Sequence, residues 1–283
     1  MNTQEFISKF SLSKSKREAI SKKYELLKEV IQKNHSKDII EIFHHGSIAR
    51  ETEIILPEKG SDFDVLVLIK RKEESVIKEI QKSIKSYTEQ NSYSYRTQKK
   101  SLGIIEFPSQ ERIDLVIGVP KEGVNLSQKD QWKNHPIEIK DHENDLWIES
   151  NPFYFQNLVE EKNKQSDGAF SLTVKLFKLW QNRIVKCRPS GFALEMLVSK
   201  HFDTNIKNIQ DQFESILEKI QKENDPKKVP ELLLPKLKTN VLKKVKDGHW
   251  ENFMNLGRSA INELKKDKES FFKNILNMEN KNG

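Results

Sequence analysis

The chain has 283 residues, of which 32% are charged and 35% apolar, and a formal net charge of +7. That length can hold a sizeable core in one large domain or two small ones, and the periodic placing of the apolar residues excludes a disordered chain. A single cysteine, Cys187, excludes an intramolecular disulfide and a cysteine-rich zinc site.

No apolar run approaches a membrane span, and the opening MNTQEFISKF lacks the apolar core of a signal peptide, so we expect a cytoplasmic protein with no membrane partner. The excess of lysine suits an anionic partner such as a nucleotide or nucleic acid without selecting one. Ile20, Tyr24, Leu27 and Ile31 recur at helical spacing and predict a helix over 16–33. Ser15 is its expected cap, with Glu18 completing a capping box. Asp38 to Phe43 reads as a short strand running into a Gly46-Ser47 turn, and Ile48 to Thr52 as the start of a helix whose N-terminus faces a phosphate. A loop from Glu53 to Gly60 follows, and then Asp62 and Asp64 alternate into the strand formers Val65-Leu66-Val67-Leu68-Ile69.

Ser75 to Glu89 is a second amphipathic helix with Ile77, Ile80 and Ile84 as its stripe. Tyr93, Tyr95 and Arg96 belong to the next strand or its approach. Leu102 to Phe107 and Ile113 to Val119 are strands joined by a polar turn, Pro108 to Arg112. From Lys121 to Ile148 the pattern breaks down into a long connecting segment, anchored by Trp147 and the Asn151-Pro152 turn. The chain is helical from Phe170, with stripes through Leu172, Leu176, Leu179 and Trp180, then from Ser190 to His201, then Ile206 to Ile220. Prolines at 226, 230 and 235 mark a break before a final helix opened by Phe253, Leu256, Ile261 and Leu264, and the tail from Glu279 is too polar to pack.

Chemistry concentrates in Gly46-Ser47 and Ser61-Asp62-Phe63-Asp64. Side chains two apart on a strand share a face, so Asp62 and Asp64 project together. Adjacent anions repel unless a cation sits between them, and hard divalent ions take oxygen ligands of this kind. A lone Asp-x-Asp is often a solvated pair, and a lone Gly-Ser an ordinary turn; their combination, running into an apolar strand, points to nucleotide chemistry. Asp114, in RIDLVIG, is a third acid in an apolar setting, costly there unless paired or metal-bound. Three carboxylates on one sheet face make a two-metal site.

This pattern resembles the nucleotidyltransferase superfamily related to DNA polymerase beta. Trp147-x-x-Ser150-Asn151-Pro152, Leu176-Phe177-Lys178-x-Trp180 and Pro189-Ser190-Gly191-Phe192-x-Leu194-Glu195 are similar to the bacterial CD-NTases, the cyclic GMP–AMP synthase-like and DncV-like enzymes of CBASS anti-phage defence. The resemblance implies that Asp62, Asp64 and Asp114 hold two Mg2+ ions, for which Mn2+ can substitute, and that Asp114 helps an acceptor hydroxyl attack. Gly46 and Ser47 would hold the β- and γ-phosphates, with Lys178 and Ser190 reaching the same triphosphate. Ser150 would face a base and favour purines, although a serine that caps a turn explains it equally. The zinc-ribbon insertion of the animal enzyme is absent, which argues against direct sensing of double-stranded DNA in that manner.

The fold expected is α+β: a small mixed sheet with flanking helices over 1–150, then a helical bundle over 151–283, with the active site in the cleft between them. The implied activity joins NTPs, ATP favoured, into a cyclic di- or trinucleotide that a downstream effector protein reads; we expect a monomer with no stable nucleic-acid partner. The competing reading is a template-independent RNA or tRNA nucleotidyltransferase, for which Tyr93 to Lys100 is the candidate track.

Overall fold

The structure is a computed structural model that describes residues 3–55, 62–97, 101–108, 111–124, 133, 135–182, 188–222 and 245–276. Cys187, Ser61, the end of the Tyr93 to Lys100 stretch, the prolines at 226, 230 and 235 and the tail from Glu279 lie outside the described residues.

The chain divides into two compact units, Leu12–Glu51 with Ile55–Gln156, and Met1–Ser11 with Thr52–Ile54 and Asn157–Gly283. The first is built on a sheet of β1 (Ile39–His45), β2 (Asp62–Ile69), β3 (Ser94–Arg96), β4 (Gly103–Glu106), β5 (Arg112–Pro120), β6 (Ile137–Asp141) and β7 (Leu146–Ser150). The strand order is β1-β2-β5-β4-β3, with β6 pairing both β5 and β7. β2 and β5 run parallel, and the other pairs are antiparallel.

β2 is buried on both faces along its apolar run, which is why it reads as a continuous Val/Leu/Ile stretch. Helices α2 (Lys14–His35) and α4 (Glu74–Gln90) supply Ile20, Leu27, Ile77 and Ile80 to the core cluster that takes Phe63, Val65, Val67 and Ile69. Alternation sends Leu66 and Leu68 to the opposite face, against Ile137 and Phe153. Asp62 and Asp64 share that second face, so the packing of the odd-numbered residues under the helices fixes where the acids point.

Three differences from the sequence reading have local causes. Helix α2 starts earlier than expected: Ser13, not Ser15, is its cap, with an extended backbone and a side-chain oxygen that accepts from Lys16 N at 3.3 Å. The segment expected to be irregular up to Ile148 holds the β6–β7 hairpin, whose strands alternate weakly because neither has a fully buried face. The Asn151-Pro152 turn opens a helix, α5 (Pro152–Gln165): Asn151 Oδ1 accepts from Tyr154 N at 3.1 Å, and proline suits the first helical position.

The second unit contains α1 (Thr3–Lys9), α6 (Ala169–Gln181), α7 (Gly191–His201), α8 (Ile209–Gln221), α9 (Asp247–Lys266) and α10 (Lys268–Leu276). Its centre is aromatic: Phe177 stacks on Phe213 at 4.2 Å, and Trp180 meets Phe213 and Phe253 edge-on at 5.6 Å each. Such contacts strengthen a core beyond the area they bury. The segments Met1–Ser11 and Thr52–Ile54, grouped with the sheet in the sequence reading, belong to this helical unit. No helix among the described residues is long and apolar enough to cross a membrane.

Candidate active site

The site is assembled by strand register. Asp64 pairs with Asp114 across the parallel β2–β5 ladder, and with His45 across β1–β2; Asp62 pairs with Arg112. Residues opposite one another in a ladder share a face, so Asp62, Asp64 and Asp114 lie on the face away from α2 and α4.

Helix α3 (Gly46–Ala49) follows β1 directly and carries Gly46 over this row. Gly46 has φ +77°, and a Cβ added to it would lie 1.8 Å from Asp64 Oδ2. Only glycine permits both the left-handed backbone and the approach of the carboxylate. Ser47 is the next residue of the same turn. Arg17 braces the turn by donating from Nη1 to Ile48 O at 3.2 Å, and Tyr24 donates to Ile42 O at 2.9 Å.

Burial pushes the Asp114 carboxyl above its ordinary range; the Ser101 hydroxyl pulls it back, Asp62 pushes it up further, and the charges of Arg96 and Arg112 pull it down. Its Oδ1 is buried with no hydrogen-bond partner among the described residues. Burial, with the nearby charge of Arg50, pushes His45 down to about 3, so its ring is neutral at pH 7. Asp62 forms an ion pair with Arg112, its Oδ1 2.8 Å from Nε.

As these side chains stand, no group of three or more His, Cys, Asp or Glu among the described residues is gathered closely enough to hold one ion. The three aspartates share a face, but Asp62 is ion-paired with Arg112, whose opposite charge attracts it while the neighbouring acids repel it. The donor set still fits a hard divalent cation: carboxylate oxygens only, one of them an orphaned buried atom, and a glycine that clears the approach to another.

The remaining expected residues lie elsewhere. Ser150 closes β7 opposite Ile137, which in turn pairs with Pro120. Pro120 is six residues along β5 from Asp114, roughly 20 Å of strand, so the ladder does not bring Ser150 to the aspartate row. Lys178 and Ser190 are in the helical unit. Ser190 caps α7, its Oγ accepting from Ala193 N at 3.1 Å. Lys178 is buried and donates to Thr52 O at 2.8 Å and to Glu195 Oε1 at 2.5 Å; Thr52 Oγ1 donates to the same oxygen at 2.9 Å. One turn earlier, Lys175 donates to Ser11 Oγ at 2.8 Å and pairs with Glu53 at 3.7 Å.

Sequence reasoning missed Arg112 and the Thr52–Glu195 link. Arg112 stands two before Asp114 on a strand, and that spacing alone puts it on the acid face. Nothing local to Thr52 announces a partner 143 residues away.

No family model matches the chain. It is 38% identical over 77 residues to the cyclic AMP-AMP-AMP synthase of an Acinetobacter species, a match over 26% of this chain and 22% of that protein, so the chain spans about a fifth of the length of this curated relative. Among solved structures, the CD-NTase CdnG of Bradyrhizobium diazoefficiens in complex with GTP superposes with a TM-score of 0.72 at 10% identity, covering 97% of this chain and 96% of that one. CdnC of E. coli with ATP gives 0.67 at 14% identity, over 92% and 90%. The cyclic AMP-GMP synthase DncV of Vibrio cholerae gives 0.65 at 14% identity, over 84% and 67%. With a mixed sheet that sets two aspartates side by side and a helical unit after it, the chain has the polymerase-beta-like nucleotidyltransferase fold of the CD-NTases.

Proposed function

We propose that this chain is a nucleotidyltransferase that joins nucleoside triphosphates into a cyclic di- or trinucleotide, with release of pyrophosphate, as a second messenger in bacterial anti-phage signalling. The observation that carries the reading is the register of Asp64 beside Asp114, with Gly46 laid over Asp64.

Asp62, Asp64 and Asp114 would hold Mg2+ or Mn2+, and such ions, when bound, neutralise triphosphate charge and acidify an attacking hydroxyl. Asp114 takes the proton of that hydroxyl as its oxygen bonds to the α-phosphorus; the bond to the β-phosphate oxygen breaks, and pyrophosphate leaves. The N–H groups and hydroxyl of the Gly46-Ser47 turn face the β- and γ-phosphates. In the helical unit, the Ser190 hydroxyl accepts its cap bond and keeps its own proton for a phosphate oxygen. An ammonium has three N–H bonds, so Lys178 keeps one beyond those given to Thr52 and Glu195. A separate effector protein reads the product.

The similar proteins, cyclic oligonucleotide synthases or nucleotide-bound CD-NTases, favour this reading over an RNA nucleotidyltransferase. Adenine is the favoured base, in line with the relative that makes cyclic AMP-AMP-AMP.

The test is pyrophosphate release from mixed NTPs with Mg2+ or Mn2+. Wild type releases it, and the double variant Asp62→Asn with Asp64→Asn loses turnover while keeping its melting temperature, since neutralising adjacent acids relieves repulsion. Full turnover in the double variant contradicts the mechanism.

A further inference from the structure

Arg112 occupies a position that the mechanism leaves without a role. It is the register partner of Asp62, stands two residues before Asp114 on the same face of β5, and brings its Nε to 2.8 Å from Asp62 Oδ1. That Nε is buried and makes no directed hydrogen bond among the described residues, so the contact is an ion pair held by charge. The Asp62 side chain is 58% exposed, against 29% for Arg112. The carboxylate is therefore accessible to ions from solvent, while the guanidinium approaches it from within the sheet face.

A carboxylate satisfied by a guanidinium is a weaker ligand for any other cation, because the arginine must yield before the oxygen can coordinate. Asp64 and Asp114 are register partners across the ladder, two residues along from the Asp62–Arg112 pair. Asp62 forms its ion pair with Arg112. We propose that Arg112 is the built-in counter-ion of Asp62, competing with the divalent ion for that carboxylate and so setting how much metal the site requires. This rests on the reading of Asp62, Asp64 and Asp114 as metal ligands.

Simple repulsion between a nearby arginine and a divalent ion would also weaken binding, and Arg96 separates the two effects. It sits on the same sheet face, in the row Asp114–Ile104–Arg96, but is paired with Glu106 at 3.2 Å and not with a candidate ligand. Removing its charge relieves repulsion without freeing Asp62.

The experiment is a Mn2+ titration of the full chain without nucleotide, followed by the paramagnetic resonance signal of free Mn2+, with thermal unfolding of each variant as a check on folding. The proteins are wild type, R112Q, D62N, the double variant R112Q/D62N, and R96Q, with R112M as a second replacement that keeps the aliphatic stem. R112Q is expected to bind Mn2+ about two- to fivefold more tightly than wild type, the span of an exposed ion pair's coupling. The gain disappears in the D62N background, and R96Q gains less. Equal affinities of wild type, R112Q and R112M, with D62N weaker, overturn the competition and leave the metal reading standing. The same gain with and without Asp62 overturns it in favour of unspecific repulsion. Equal binding by wild type and D62N overturns both the competition and the metal reading beneath it.

Discussion

At Gly46 two constraints coincide. Its backbone is left-handed, and the carboxylate of Asp64 occupies the space where any other residue would put a Cβ. Gly46→Ala meets both: about 1–3 kcal/mol of backbone strain, and displacement of Asp64 from its place beside Asp114. Displacing a reacting group by about 1 Å can cost roughly a hundredfold in rate. The expected outcome is a melting temperature lowered by a few degrees and turnover lowered by about a hundredfold, measured by thermal unfolding and pyrophosphate release. Near-normal turnover would show that Asp64 does not need this approach. Gly46, Asp62, Asp64 and Asp114 were legible in the sequence because their spacing and setting are local signals. Arg112 was not, because its meaning depends on which residue of another strand lies opposite it.

At the scale of elements, the long periodic helices and apolar strands were readable, and what failed was short or polar. The β6–β7 hairpin has few fully buried positions to mark its period, and α5 hides behind an Asn-Pro pair that signals both a turn and a helix start. The cap of α2 was misplaced by two residues because Ser15, with Glu18 three residues on, matches a capping box, whereas Ser13 has Lys16 at that place. Backbone conformation decides between them. Ser13→Ala should cost about 1 kcal/mol in denaturant unfolding, and Ser15→Ala much less. The link from α6 and α7 to Thr52 gives a stronger contrast. Lys178 and Glu195 are buried with side-chain exposures of 9% and 1%, and removing one member of a buried pair leaves an uncompensated charge. Lys178→Met should destabilise the chain by about 3–5 kcal/mol, seen as a drop in urea midpoint. Removing both partners, Lys178→Met with Glu195→Met, should recover part of that loss. A single variant as stable as wild type would mean that the pair contributes little to the fold.

For the whole molecule, composition bounded the class, and the motif spacing led to the fold that the solved CD-NTases share at 10–14% identity. Sequence identity that low leaves only the site chemistry to be carried by individual residues, and those residues are few: a turn, three acids and the cations around them. Their joint purpose is the central claim. The measurement that tests it most directly is mass spectrometry of the products formed when the purified protein is incubated with all four NTPs and Mg2+ or Mn2+, without nucleic acid. The account predicts a phosphatase-resistant cyclic oligonucleotide that contains adenine. NTPs left intact under these conditions, together with extension of an added RNA 3′ end, would contradict it and make the chain a polymer-directed nucleotidyltransferase.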